Sequence, residues 1–251
     1  MSIILPTYNR NYIVWKAIQS VLNQTYLNFE LIIVDSGNDN TKKIVDQFLD
    51  PRIKYIRIKD KLNPSKARNI GIENAQGSYI CYIDSDVVYY PEFIGYMLIS
   101  LLANPKKVIT YCAKNKVIVE YNSQDKIIER IEKIDCCTPI NIKQLLLMEE
   151  YIDTNTIMHK KDILDIIGDW DEKCEKLEDW EFVLRVYKTF PEGFLHVPRV
   201  LVDYTQIKGL KSDGVHADSN SSASREYVKR KYYELFQLIT PQYNSKLGWL
   251  K

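Results

Sequence analysis

The chain has 251 residues, 45% hydrophobic and 27% charged, which suits one large α/β domain or two small ones with a sizeable core. Its 34 Lys and Arg against 33 Asp and Glu leave a net charge of +1, so nothing points to nucleic acid or a strongly acidic macromolecule as the main partner. The longest apolar stretches, such as Tyr96–Ala103, are far too short to span a bilayer.

The first hundred residues alternate regularly. Strands are expected at 2–6, 29–35, 53–58 and 78–84, and helices at 12–24, 41–49 and 65–75. This pattern argues for a mainly parallel sheet covered by helices on both faces. Three strands end in polar punctuation, at 6–9, 35–40 and 84–86. In such sheets ligands sit beyond the carboxyl ends of the strands, so all three segments should face one crevice. The second half is less regular. Residues 107–112 and 116–121 read as strands of a hairpin, 122–140 as a loop, 141–150 as a helix and 154–160 as a strand. A helix follows at 177–190, an extended segment at 194–204, a mobile polar loop at 205–222 and an amphipathic basic helix at 225–239. Five cysteines, Cys81, Cys112, Cys136, Cys137 and Cys174, fit no zinc spacing, and no leader is read ahead of the first strand. The expectation is reduced thiols in a cytoplasmic protein, with peripheral attachment to the inner face of the membrane left open.

Asp84 and Asp86 bracket Ser85 at the end of a buried strand. Their oxygens suit a hard divalent cation such as Mg²⁺ or Mn²⁺, although an isolated Asp-x-Asp is more often a solvated turn. Asp35 ends another strand on the same rim; Asp39 is better placed to cap the next helix, which leaves Asp35 for a base N–H or a ribose hydroxyl. Lys66 and Arg68 stand before a helix or in its first turn, where Arg can approach a phosphate or the base, with a solvated basic face an equal alternative. Glu178 and Asp179 are adjacent on a helix and do not share a face, so one acid can enter a cleft as a general base while the other caps or pairs, although taken alone the pair reads first as an acidic helical turn favoured by the dipole. His159 and His196 read as structural, and His216 lies in the polar loop.

Taken together, 2–10, 29–41, 67–86 and 167–186 resemble, in order, the motifs of the family 2 glycosyltransferases, inverting enzymes of the GT-A fold. The resemblance covers about residues 2–204. It implies a Rossmann-like, mainly parallel central sheet with a smaller acceptor-side sheet region. The transferase domain would span 1–220, with a nucleotide-sugar half at 1–104 and an acceptor half at 105–220, followed by a helical extension at 221–251. Carried over residue by residue, it puts Pro6, Thr7, Tyr8, Asp35, Arg68, Asp84 and Ser85 around the nucleotide sugar. It puts Asp84 and Asp86 on a Mn²⁺ or Mg²⁺ ion, Asp179 as the base, and Trp170, Glu178 and Trp180 on the acceptor side. The family's Tyr-Arg-x-His is absent after Tyr204, and His216, twelve residues on, is the substitute third metal ligand. The implied reaction moves a sugar, expected to be UDP-linked, to a glycan or lipid-linked acceptor in polysaccharide biosynthesis. A nucleotidyltransferase and a non-catalytic nucleotide-sugar-binding subunit are the competing readings; the glycine-free Leu5–Asn11 loop counts against the first. The basic helix is expected to pack on the domain or on a second copy, with an anionic membrane as the alternative.

Overall fold

The computed structural model describes residues 1–121, 127–134, 145–146, 152–208 and 221–237. The N-terminal half alternates β1 (Ser2–Thr7), α1 (Val14–Leu22), β2 (Glu30–Asp35), α2 (Thr41–Val45), β3 (Ile53–Arg57), α3 (Pro64–Glu73) and β4 (Tyr79–Tyr82). β1 pairs in parallel with both β2 and β4, and β2 with β3. Ile3, Ile4 and Leu5 are wholly buried, as are Leu31 to Val34. Burial on both faces explains why these strands read as continuous apolar runs. Ile3 and Leu5 pack with Val14, Ile18 and Phe93 on one face, and Ile4 with Ala67 and Ile72 of α3 on the other. Asn63 caps α3 by accepting the Lys66 N–H at 2.8 Å, with Pro64 in the first turn.

The remaining elements are β5 (Val87–Tyr89), α4 (Phe93–Ala103), β6 (Ile109–Tyr121), β7 (Ile127–Ile134), β8 (Ile157–Lys160), α5 (Leu164–Ile167), α6 (Glu178–Thr189), β9 (Phe194–Lys208), α7 (Ser222–Lys231) and α8 (Tyr233–Gln237). They extend one sheet in the order β3-β2-β1-β4-β8-β6-β9-β5, with β7 beside β6. β8 runs antiparallel to both β4 and β6 and joins the two halves. Among the described residues no helix is long and apolar enough to cross a membrane.

The expected hairpin over 107–121 is instead one strand, β6. Its polar middle looked like a turn, but Lys114 pairs with Asp153, and Asn115 donates to Asp203 Oδ1 at 2.9 Å. Both residues have polar partners, so the strand runs through them. β9 absorbs Pro198 as a bulge, where the register steps from Cys112↔Val197 to Ala113↔Val200. The segment expected to be a loop at 122–140 contains β7, paired along the second half of β6. β9 continues through Lys208, into the expected mobile loop; His216 and the Cys136–Cys137 pair lie outside the described residues.

The basic helix divides into α7 and α8, and α7 packs on the domain. Val228 is fully buried, and Tyr232 is 4% exposed. Tyr232 donates to Glu181 Oε1 at 2.6 Å, and Lys231 donates to the same oxygen at 2.8 Å and to Asp171 Oδ2 at 2.6 Å. Tyr227 donates to Asp171 at 2.6 Å, and Arg185 forks onto both Glu181 oxygens. The wholly buried Glu181 is thereby satisfied, and α7 is latched to α6. Burial works against the Asp171 carboxylate, but the bonds from Lys231 and Tyr227 outweigh it and hold its pKa at about 2, below the ordinary 3.8. A depressed folded-state carboxyl contributes stability above its unfolded pKa and loses it as pH falls through the folded one. Stability should therefore decline between pH 3.8 and about 2. In urea titrations across that window Lys231→Met should flatten the slope; an unchanged slope counts against the latch.

Candidate active site

The carboxyl ends of β1, β2 and β4 meet as the alternation requires. Thr7 lies in register with Asp35, and the Ser36 N–H donates to the Thr7 carbonyl at 3.1 Å. Beyond these ends opens a cleft of about 500 Å³, with Pro6, Thr7, Tyr8, Ser36 and Arg68 on its wall. That volume suits a small-molecule ligand. The buried Thr7 hydroxyl has no hydrogen-bond partner among the described residues. Gly37 holds the adjoining loop: a Cβ there would sit 2.4 Å from the Asn9 backbone nitrogen, in a turn where Asn9 has φ 53°.

Two pairs of acids share this cleft, Asp84 with Asp86 and Glu178 with Asp179, and Ser85 lines it too. Arg68 ties them together. It donates to Glu178 Oε1 at 2.9 Å and to Asp84 Oδ1 at 3.2 Å, with its guanidinium 4.8 Å from the Trp170 ring centre. Burial works against its charge, but Asp84 and Glu178 more than offset this and raise its pKa above the usual value. Asn155 holds Asp84 from the other side, accepting its N–H at 2.6 Å and donating to Oδ2 at 3.0 Å. Asp153 anchors Asn155 at 2.8 Å and pairs with Lys114.

Burial, then the charge of Asp84, pushes the Asp86 carboxyl up to about 6. Asp86, crowded by Asp84, is thus short of positive charge. Their hard oxygens fit Mg²⁺ or Mn²⁺, for which two carboxylates, substrate phosphates and water commonly suffice. Among the described residues no group of three or more His, Cys, Asp or Glu could hold a metal without such help.

Asp179 begins α6 beside Glu178, and its Oδ1 accepts the Trp180 N–H at 2.7 Å. Burial, then Glu178 and Asp153, raises its carboxyl well above the ordinary range, while Arg68 opposes the rise. An acid so raised is a stronger base once ionised. The preceding Leu177 holds a left-handed conformation, φ 60°, strained for a branched side chain and placed where the chain turns to aim Glu178 and Asp179.

Some expected residues lie elsewhere. Asp35 is fully buried and does not line the cleft. Its carboxylate accepts from Tyr55 at 2.6 Å, Arg57 at 2.9 Å and the Gly37 N–H at 2.8 Å. Asp39 does bond the Thr41 N–H at 3.0 Å; the Asp35 carboxylate is taken up by Tyr55 and Arg57 of β3, and Ser36 lines the cleft. Trp170 and Trp180 also leave the wall. Each is 2% exposed; Trp170 stacks on Phe182 and backs Arg68, and the Trp180 indole donates to the Leu145 carbonyl. His159 is wholly buried against Tyr82, where burial lowers its pKa to about 4.

The glycosyl transferase family 2 profile matches residues 2–165, more than half of the chain. The chain belongs to glycosyl transferase family 2. The chain is 32% identical over 171 residues to an uncharacterized glycosyltransferase of Haemophilus influenzae, covering 62% of this chain and 63% of that one. It is 34% identical over 124 residues to the Escherichia coli UDP-Glc:alpha-D-GlcNAc-diphosphoundecaprenol beta-1,3-glucosyltransferase WfgD, covering 49% of this chain and 48% of that protein. A Rickettsia felis relative, 35% identical, is covered over only 21% of its length, so the chain spans less than two thirds of these relatives. The Staphylococcus aureus TarS 1–349 structure with UDP-GlcNAc superposes with a TM-score of 0.69 at 16% identity, over 98% of this chain and 75% of that one. The chain therefore has the GT-A fold. Its cleft is also lined by Ser36, inside the expected 35–40 strand end, and by Lys114, Asp153 and Asn155, which no motif in the sequence marked. The one local signal was Asp153 ahead of Thr154-Asn155-Thr156, a short turn in which Asp153 bonds the Asn155 N–H at 2.7 Å.

Proposed function

We propose that the domain is a metal-dependent, inverting transferase that moves a sugar from a UDP-linked donor to a hydroxyl of a glycan or lipid-linked acceptor. The observation that carries this is the single cleft holding Asp84, Asp86, Glu178 and Asp179, bridged by Arg68. Ser36 would offer its hydroxyl to the nucleoside, and Asp84 and Asp86, which face each other's charge on the cleft wall, would hold Mn²⁺ or Mg²⁺. When bound, that ion neutralises charge on the departing diphosphate. Asp179 accepts the proton of the acceptor hydroxyl, whose oxygen attacks the anomeric carbon as the carbon–diphosphate bond breaks, inverting its configuration. Arg68 and Glu178 hold the base helix against the donor acids. WfgD, whose name gives UDP-Glc and a diphosphoundecaprenol acceptor, supports this choice of substrates. The Pyrobaculum calidifontis mannosyltransferase bound to GDP-Man and Mn²⁺, a fold neighbour at TM-score 0.59, supports the ion.

The test is a thermal-shift panel of nucleotide sugars with Mn²⁺, since a donor that binds the folded state raises Tm, followed by diphosphate release on adding acceptors. A transferase releases nucleoside diphosphate, a nucleotidyltransferase releases pyrophosphate, and a binding subunit releases neither. Asp86→Ala should weaken Mn²⁺-dependent donor binding by about tenfold or more; an unaltered metal titration removes the ion from Asp86.

A further inference from the structure

α4 lacks the charged outer face of an ordinary surface helix. From Phe93 to Asn104 it carries no charged side chain. Phe93, Ile94, Met97, Leu98 and Leu101 fill the core, as an inward face should. The outward face is apolar too: Tyr96, Ile99 and Leu102, spaced by three, are 37%, 65% and 58% exposed. Residues three apart on a helix are neighbours, so these form one stripe rather than scattered surface side chains. Cations border it. The Arg199 guanidinium of β9 lies 4.2 Å from the Tyr96 ring centre. Lys106 and Lys107 follow the end of the helix, and Lys160, at the end of β8, donates to the Pro105 carbonyl at 2.7 Å. Lys107 donates to the Glu192 carbonyl at 2.8 Å. A ring and two carbonyls do not cancel these charges. The same segments hold two acids, Glu92 just before the helix and Glu192, so cations prevail.

We infer that this stripe and its cations seat the protein on an anionic lipid surface, with Tyr96, Ile99 and Leu102 entering the headgroup region. The inference stands apart from the transferase reading, since it involves neither donor nor catalysis. Charge complementarity selects the occupant. In a symmetric pair the same patch meets itself, which would bring these cations together. The stripe is also three large side chains, where a stable protein interface takes about 20–30 residues a side. A bilayer interface asks for less: an apolar face, an aromatic ring at headgroup level and basic residues to meet anionic lipid.

The experiment floats the full chain with vesicles of phosphatidylcholine alone and of phosphatidylcholine mixed with phosphatidylglycerol, at low and at high salt. The parent should be recovered with the mixed vesicles at low salt and lost from them at high salt or without phosphatidylglycerol. Ile99→Glu should lower partitioning about tenfold or more, because a buried aliphatic side chain is replaced by a charge. Lys106→Gln should lower it about fivefold, the effect of one basic residue near an anionic surface. Arg230→Gln, on the exposed side of α7, should change nothing. All three changed side chains are exposed, so each variant should keep the parent's Tm. No recovery with the mixed vesicles, or equal recovery with both kinds, overturns the inference. So does binding that ignores Ile99→Glu and Lys106→Gln, and so does binding lost in Arg230→Gln, which would move the contact to α7. A dimer in sedimentation equilibrium that Ile99→Glu dissociates gives the stripe to a second copy and overturns it as well.

Discussion

Asp179→Asn is expected to lower sugar transfer by about a thousandfold, within the range for loss of a general base, while donor affinity stays within a few-fold. Asparagine keeps the shape and the oxygen that accepts the Trp180 N–H, so the start of α6 should hold. It cannot take a proton from the acceptor. The donor acids, Asp84 and Asp86, are untouched. The variant should also be at least as stable as the parent near neutral pH. Burial and the neighbouring Glu178 and Asp153 raise the folded-state pKa of Asp179. A carboxyl so raised opposes folding at pH values above its unfolded pKa, and a neutral amide relieves this. Single-turnover diphosphate release, donor calorimetry and Tm measure the three effects. Normal turnover would falsify the assignment of the base.

Arg68→Met should destabilise the domain by about 3–5 kcal/mol, the range for removing one partner of a buried ion pair. The Arg68 side chain is only 3% exposed, and its loss leaves Asp84 and Glu178 facing each other without a cation. It also removes the charge stacked on Trp170. Arg68→Lys supplies a second reading should the methionine variant fail to fold. An ammonium keeps the charge but lacks the planar fork that spans two carboxylates. It should fold, and lose kcat more than donor affinity, because Glu178 and the base beside it are no longer held against Asp84. Urea unfolding of Arg68→Met that shifts by less than about 1 kcal/mol, as an exposed pair would, refutes the bridging role.

Much of the N-terminal half was legible because its information is local. Apolar runs buried on two faces, short connections and polar strand ends placed β1 to β4 and the crevice beyond them. They also placed Thr7, Asp84 and Asp86 on that crevice, and the family resemblance added Arg68; all four line it. Asp35 misled because its position at a strand end predicts the rim but not the direction of its side chain. Its register neighbour on β3, Arg57, and nearby Tyr55 claim the carboxylate. The two tryptophans misled for a related reason: an aromatic beside an acid has the same local signature whether it walls a cleft or backs one. Lys114 and Asn115 looked like a turn because their partners, Asp153 and Asp203, are distant in the chain.

The sequence by itself determined the alternating parallel half, which depends on residue type and short-range periodicity, and the resemblance of its ordered motifs pointed to the family. Only the tertiary structure decided that Arg68 joins the two acid pairs, that Asn155 braces Asp84, and that α7 closes the cleft with Arg225. Those contacts join residues 16 to 110 positions apart, or depend on a helix latched by the buried Glu181. Pairing over such separations is set by the packing of the whole sheet, and no local pattern encodes it.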